Sequence, residues 1–293
     1  MEFRTHHRTP AGGRWAVGGW RWARKERNQV SDPHGGAESA PVEPVTPEPV
    51  TPEPVTPETP RPLRRTLLHQ SWLDVAFVHW AVDPEVVAGL LPRGVRPDVY
   101  EGATYVGLIA LRMHRVGWLA LPGVPYFGNF PETNVRLYSV DGRGRRGVVF
   151  RSFEASRLLP VLIARLGFRL PYMWAEMSVR REGDGVDYAT RRRWPRAEGS
   201  GGAHARLGLR IGARIAEPSG LEDFLTARWG MHSDRHGRTL YLPNAHPRWS
   251  LHRAELLHLD ENLITAAGLP APAAPPVSVL FSPGVPVRFG SPA

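Results

Sequence analysis

From Trp72 onward the chain is a succession of short aromatic and β-branched stretches separated by Gly, Pro and Asp turns, with no regular alternation of strand-like and helix-like segments. That rhythm excludes a doubly wound parallel sheet, which needs a helical crossover between successive strands. It predicts an α+β chain of mainly antiparallel β-structure, a curled or barrel-like sheet with a few short flanking helices.

The individual segments follow from the same cues. Trp72 to Trp80 reads as a strand, and Asp83-Pro84 supplies a cap and a first-turn proline for a short helix through Leu91. Ala103 to Leu111 reads as a buried strand, and Gly117 to Asn129 as a loop. Tyr138 to Phe150 reads as a hairpin, Met173–Arg181 with Val186–Arg193 as another, and Ala205–Ile211 as a further strand. Ser156 is placed to cap a helix towards Arg165, and Ser219 one near Leu221–Ala227. Met231–Gly237 reads as a loop. Thr239–Leu242, Trp249–Leu259 and Ser278–Phe281 read as strands, and Asp260–Ala267 as a last helix closed by Gly268.

The N-terminal part has a different texture. Residues 1–40 mix Arg, Gly and Trp without a period and read as a disordered basic arm. Residues 41–62 contain three copies of Pro-Val-Thr-Pro-Glu and read as a polyproline spacer, leaving residues 63–293 as a single domain. The chain has no Cys, which removes disulfides, thiol catalysis and Cys-ligated zinc. No run of apolar residues is long enough for a transmembrane helix and no secretory h-region is visible, so the expected location is the cytoplasm and no membrane partner is expected. The net charge of +9 could attract nucleic acid or acidic metabolites, but no nucleic-acid motif accompanies it, and an arginine-rich solvated surface is the plainer reading.

Chemistry concentrates in Phe130-Pro-Glu-Thr-Asn-Val-Arg-Leu-Tyr138. As a strand, this segment puts Phe130, Glu132, Asn134, Arg136 and Tyr138 on one face and Pro131, Thr133, Val135 and Leu137 on the other. A row of acid, amide and guanidinium suits a pocket for a polar ligand, or equally a solvated Glu–Arg pair. In the pocket reading Glu132 and Arg136 are the candidate catalytic residues: the carboxyl moves a proton and the guanidinium holds an oxyanion. Asn134, Tyr138, His79 and Trp80 are candidate ligand contacts, although a His beside a Trp is more often a hydrogen-bonded core residue. His232, Asp234 and His236 match no strict metal spacing, and no metal or other cofactor is expected. His246-Pro-Arg-Trp249 reads as a turn and strand entry, and Arg191–Arg193 as a strand end facing solvent. Nucleophile-elbow, P-loop, Rossmann and zincin motifs are absent. Lys25 is the single lysine and lies in the arm, so Schiff-base catalysis from the domain is excluded.

Several pieces together resemble the YqjF-like uncharacterised bacterial family, DUF2071. They are Trp72…Phe77-Val-His79-Trp80, Leu91-Pro92-Arg-Gly94, Tyr105-Val-Gly107, Glu132-Thr-Asn134-Val-Arg136-Leu-Tyr138, Gly147-Val-Val-Phe150, Leu170-Pro171-Tyr172 and His246-Pro-Arg-Trp249. The resemblance spans about residues 63–290. It implies a fold related to acetoacetate decarboxylase, an antiparallel sheet curled into a cone around a ligand cavity. That enzyme uses a Schiff-base lysine, which this domain does not offer.

The resulting expectation is a small-molecule-binding protein acting on a carboxylate or oxo-acid-like compound by lyase- or isomerase-type acid–base chemistry. The alternative is a non-catalytic ligand-binding or scaffold protein. Nucleic-acid binding ranks last, and homo-oligomerisation is left open.

Overall fold

The computed structural model describes residues 50–119, 121–158, 161, 170–195 and 202–293. The basic arm, the first part of the spacer and most of the helix expected from Ser156 lie outside them.

Consecutive apolar residues in the first core strand are explained by burial on both of its faces. Strand β1 (Leu68–Val82) pairs with β3 (Thr104–Trp118), and β3 with β4 (Phe130–Asp141), all antiparallel. Val75, Phe77, Ile109, Leu111, Met113 and Phe130 enter one core, whereas Ala76, Val78, Trp80, Val106, Leu108, Ala110, Val135 and Leu137 enter another. The three strands are therefore a wall between two interiors, divided by the two-residue period of the strands.

The rest of the chain closes around that wall. Strand β4 continues to β5 (Arg146–Ala155), β6 (Tyr172–Glu182), β7 (Gly185–Trp194), β8 (His204–Arg214), β11 (His252–Glu261) and β12 (Ser278–Phe289), which returns to β1. This is a closed mixed barrel of nine strands. The β5–β6 pairing is parallel and the others around the ring are antiparallel. A hairpin of β9 (Gly230–Arg235) and β10 (Arg238–Ala245) bridges β5 to β12. It thereby closes a second ring on the other side of the wall. Short β2 (Val95–Pro97) extends β4 at its edge.

Helices are few and short. Helix α1 (Pro84–Ala88) starts at Asp83, whose carboxylate accepts from the Glu85 amide. Helix α2 (Gly220–Thr226) carries a full capping box between Ser219 and Glu222. Helix α3 (Leu263–Ala266) is shorter than the Asp260–Ala267 expectation, because β11 runs on through Glu261.

Three local readings are corrected. Met231–Gly237 is mostly strand rather than loop: β9 and β10 turn through His236 and Gly237, both at positive φ. Arg192 is not a solvent-facing charge; it forms a buried pair with Glu154, while Arg191 and Arg193 share the exposed Glu176. The described part of the spacer lies against the barrel. The Glu53 amide donates to the Gly144 carbonyl (2.9 Å), the Glu53 carboxylate accepts from Arg61 and from the Arg146 amide (2.9 Å), and Trp229 Nε1 donates to the Thr56 carbonyl (3.0 Å). Proline cannot join a ladder through its own nitrogen, but the Glu and Thr positions of the repeat supply the polar groups that dock it.

Candidate functional site

The side chains of β4 that point away from Val135 and Leu137 face the smaller ring. Glu132, Asn134 and Arg136 line an inner chamber of about 100 Å³ there, beside Gln70, Phe77, Phe153 and Tyr172. The three are 2 %, 4 % and 7 % exposed, so they border an enclosed space rather than bulk water. The solvated Glu–Arg pair is not what forms: no ion pair joins these two residues. Four residues of extended strand separate their α-carbons by roughly 13 Å, so a ligand that engages both must pass Asn134.

Glu132 is held by two donors. Tyr172 Oη donates to Oε2 (3.1 Å) and Asn134 Nδ2 to Oε1 (3.3 Å). Burial lifts its pKa to about 7, and these two hydrogen bonds pull only partly against that. A carboxyl poised there can give or take a proton near neutrality. Burial, with Glu132 beside it, pushes the Tyr172 hydroxyl well above the ordinary tyrosine range, so it stays a donor. Asn134 lines the chamber, and its Oδ1 is a buried acceptor without a partner.

Arg136 closes the row. Its Nε and Nη2 donate to Tyr138 Oη (3.2 and 3.1 Å), and Nη2 also to the Leu225 carbonyl (2.9 Å). Its guanidinium lies 5.6 Å from the Phe77 ring centroid. Nη1 has no hydrogen-bond partner among the described residues.

Tyr138 and His79 do not line the chamber; they hold Arg136 from behind. Tyr138 Oη lies 2.8 Å from the Leu225 carbonyl and 2.7 Å from His79 Nε2 and hydrogen-bonds with both, while His79 Nδ1 is buried without a partner. Burial, then the nearby Arg136 and Arg228 charges, hold the His79 pKa well below its ordinary value, and the ring is neutral. Trp80 is placed away from the chamber altogether. As the next residue on β1 it points to the opposite face and packs in the core of the larger ring.

The neighbouring strand is tailored to this arrangement. Gly107 is paired with both His79 and Arg136, and a Cβ there would lie 3.1 Å from His79 Nε2 and 3.3 Å from Arg136 Cγ. With both side chains buried and hydrogen-bonded, Gly107→Ala is expected to lower stability by about 1–3 kcal/mol. Urea denaturation measures this, and an unchanged midpoint would show that the row has slack.

The other sequence candidates lie elsewhere. His232 is buried with Nδ1 2.9 Å from Ser139 Oγ, and Asp234 Oδ1 accepts from the Gly237 amide in the β9–β10 turn. Among the described residues no group of three or more His, Asp or Glu is placed to hold a metal ion. His246 packs between Trp229 and Trp249. Tyr172 and Gln70, both at the chamber, were not legible as site residues from local pattern. Tyr172 carried a signal only as part of Leu170-Pro171-Tyr172.

The family model DUF2071, described as "Uncharacterized conserved protein (COG2071)", matches residues 69–286. Over 212 residues the chain is 30 % identical to the uncharacterized protein YqjF of Bacillus subtilis (strain 168), covering 72 % of this chain and 86 % of that one. Solved structures share the fold. An acetoacetate decarboxylase-like enzyme from Sphingomonas wittichii RW1 superposes with a TM-score of 0.53 at 13 % identity, over 78 % of this chain and 92 % of its own. The enduracididine biosynthesis enzyme MppR complexed with pyruvate gives 0.51 at 14 %, over 79 % and 91 %. Acetoacetate decarboxylase from Legionella pneumophila gives 0.50 at 14 %, over 80 % and 91 %. At these identities the likeness is one of fold.

Proposed function

This chain belongs to the DUF2071 family, and we propose that it binds a small carboxylate or oxo-acid-like compound in the inner chamber and moves a proton on it through Glu132. The observation that carries this reading is a buried carboxyl with its pKa raised to about 7, lining an enclosed chamber together with an unpartnered amide oxygen and a guanidinium. Arg136 Nη1 would hold the ligand's carboxylate or enolate oxygen, Asn134 would orient the ligand through Oδ1, and Glu132 would take or return the proton beside the carbonyl. Tyr172 would hold the ionised form of Glu132, the form that takes the proton, by donating to Oε2.

A fold-level parallel supports the ligand class: one structure sharing this architecture is that of an enzyme complexed with pyruvate, an oxo acid. The chemistry must differ from that of a lysine-dependent decarboxylase, because Lys25 is the single lysine and lies outside the described residues.

The test begins with protein purified gently and analysed by native mass spectrometry for a retained acid, followed by incubation of that acid in deuterated water. Exchange of a carbon-bound proton, lost in Glu132→Gln while the acid is still bound, is the expected result. Retention without exchange or conversion would make this a binding protein rather than an enzyme. Equal exchange by wild type and Glu132→Gln would remove Glu132 from the reaction.

A further inference from the structure

The inner chamber is not the whole cavity. It adjoins an outer chamber of about 340 Å³, and the two share Leu68, Gln70, Met113, Tyr172, Met231 and Phe289 among their walls. The outer walls are mostly apolar: Val116, Trp118, Val124 and Phe127 from β3 and the following loop, and Leu240 from β10. That loop also carries exposed apolar side chains, with Leu121, Val124, Tyr126 and Phe127 uncovered in one short stretch. The cavity is thus graded, with the acid, amide and guanidinium of β4 in the inner chamber and a mostly apolar outer chamber that also meets Ser233 and Arg235 of β9.

A compact oxo acid would occupy only the inner chamber. It would leave the outer chamber either dry and empty or filled by waters with few polar partners, and neither condition favours tight binding. Cavities of this combined size ordinarily enclose most of a larger ligand.

Resting on the polar-site reading above, we infer that the ligand is an amphipathic acid. Its carboxylate and an adjacent hydroxyl or enol engage Arg136 and Asn134 in the inner chamber, and its unbranched or aromatic apolar tail fills the outer chamber towards Trp118 and Phe127. The donor beside the carboxylate follows from Asn134 Oδ1, a buried acceptor that a bare hydrocarbon acid could not satisfy. The tail follows from the walls.

The test is isothermal titration calorimetry of the full chain at neutral pH with straight-chain 2-hydroxy acids of four to about ten carbons. Affinity is expected to rise about fourfold for each added methylene until the chamber is full. Leu240→Trp, which fills the outer chamber, should flatten the rise while leaving the shortest acid unaffected. The matched unsubstituted acids should bind at least several-fold more weakly than the 2-hydroxy acids, and Asn134→Ala should erase that difference. An affinity independent of chain length, with Asn134→Ala still weakening every acid, would overturn the tail and leave the polar site standing. A steep length dependence that ignores Asn134→Ala and Glu132→Gln would remove the polar site and leave an apolar cavity. No binding by any member of the series would overturn both.

Discussion

Glu132→Gln is expected to stabilise the fold by about 3 kcal/mol at pH 8.5 and to change it little at pH 4. In the folded protein the Glu132 carboxyl is lifted from an ordinary 4.5 to about 7 by burial. Between those two values the folded chain keeps a proton that the unfolded chain has lost. Stability contributed by the neutral acid is therefore present at low pH and falls as pH rises through that window, by about 1.4 kcal/mol for each unit of separation. Glutamine mimics the neutral acid at every pH. Its carbonyl can accept from Tyr172, and its amide can donate to Asn134 Oδ1 once the Asn134 amide rotates, an acceptor that is otherwise unsatisfied. The buried histidines act in the opposite sense. His232 and His246 are both held down to about 4, chiefly by burial, so acid weakens the fold through them. That effect is common to wild type and variant and cancels in the difference. Urea titrations at the two pH values measure it, and a wild-type-minus-variant difference that stays constant with pH would mean that Glu132 titrates in the folded protein as it does in the unfolded chain.

How far the sequence foretold this site depends on which physical rule operated at each position. Alternation along β4 is strict because both faces are buried, so Glu132, Asn134 and Arg136 could be grouped on one face from their spacing alone. The same rule, applied to β1, separates His79 from Trp80. Treating these two as joint ligand contacts overlooked that adjacent residues on a strand point apart. The antiparallel hairpins were legible from turn residues such as Asp141-Gly142 and Gly183-Asp184-Gly185, and the caps at Asp83 and Ser219 from their side-chain chemistry. Strand β9 was not, since Met-His-Ser-Asp-Arg has weak β-propensity and owes its conformation to pairing with β10 and to a single bridge with β5. Because β9 and β10 close the smaller ring, the cavity itself could not be derived from local pattern. Nor could the Glu154–Arg192 pair, whose partners are 38 residues apart and meet only when β5, β6 and β7 are assembled.

Asp98→Ala is expected to lower stability by about 3–5 kcal/mol, the largest single-site loss we anticipate. Asp98 is buried between two guanidiniums, pairing with Arg146 and Arg228. Arg228 is itself enclosed: its Nε donates to the Phe224 carbonyl (2.8 Å), and its guanidinium carbon lies 4.1 Å from the Phe224 ring centroid and 4.7 Å from that of Tyr138. Burial lowers the Arg228 pKa even though Asp98 pulls it back up, so desolvation of the cation outweighs the attraction of its partner. A buried pair is weak evidence for stability in itself, yet removing its anion strands a buried cation and leaves further donors unsatisfied beside Nη2, which already lacks a partner. The consequence reaches the chamber, because Tyr138 carries the Arg228 stack, accepts from Arg136 and hydrogen-bonds with His79. The double variant Asp98→Ala/Arg228→Met, which removes both charges and keeps an apolar side chain between the rings, should recover a large part of the loss. Chemical denaturation of the single and double variants decides the point: a double variant no more stable than Asp98→Ala would show that the loss came from the space vacated by the carboxylate and not from the stranded charge.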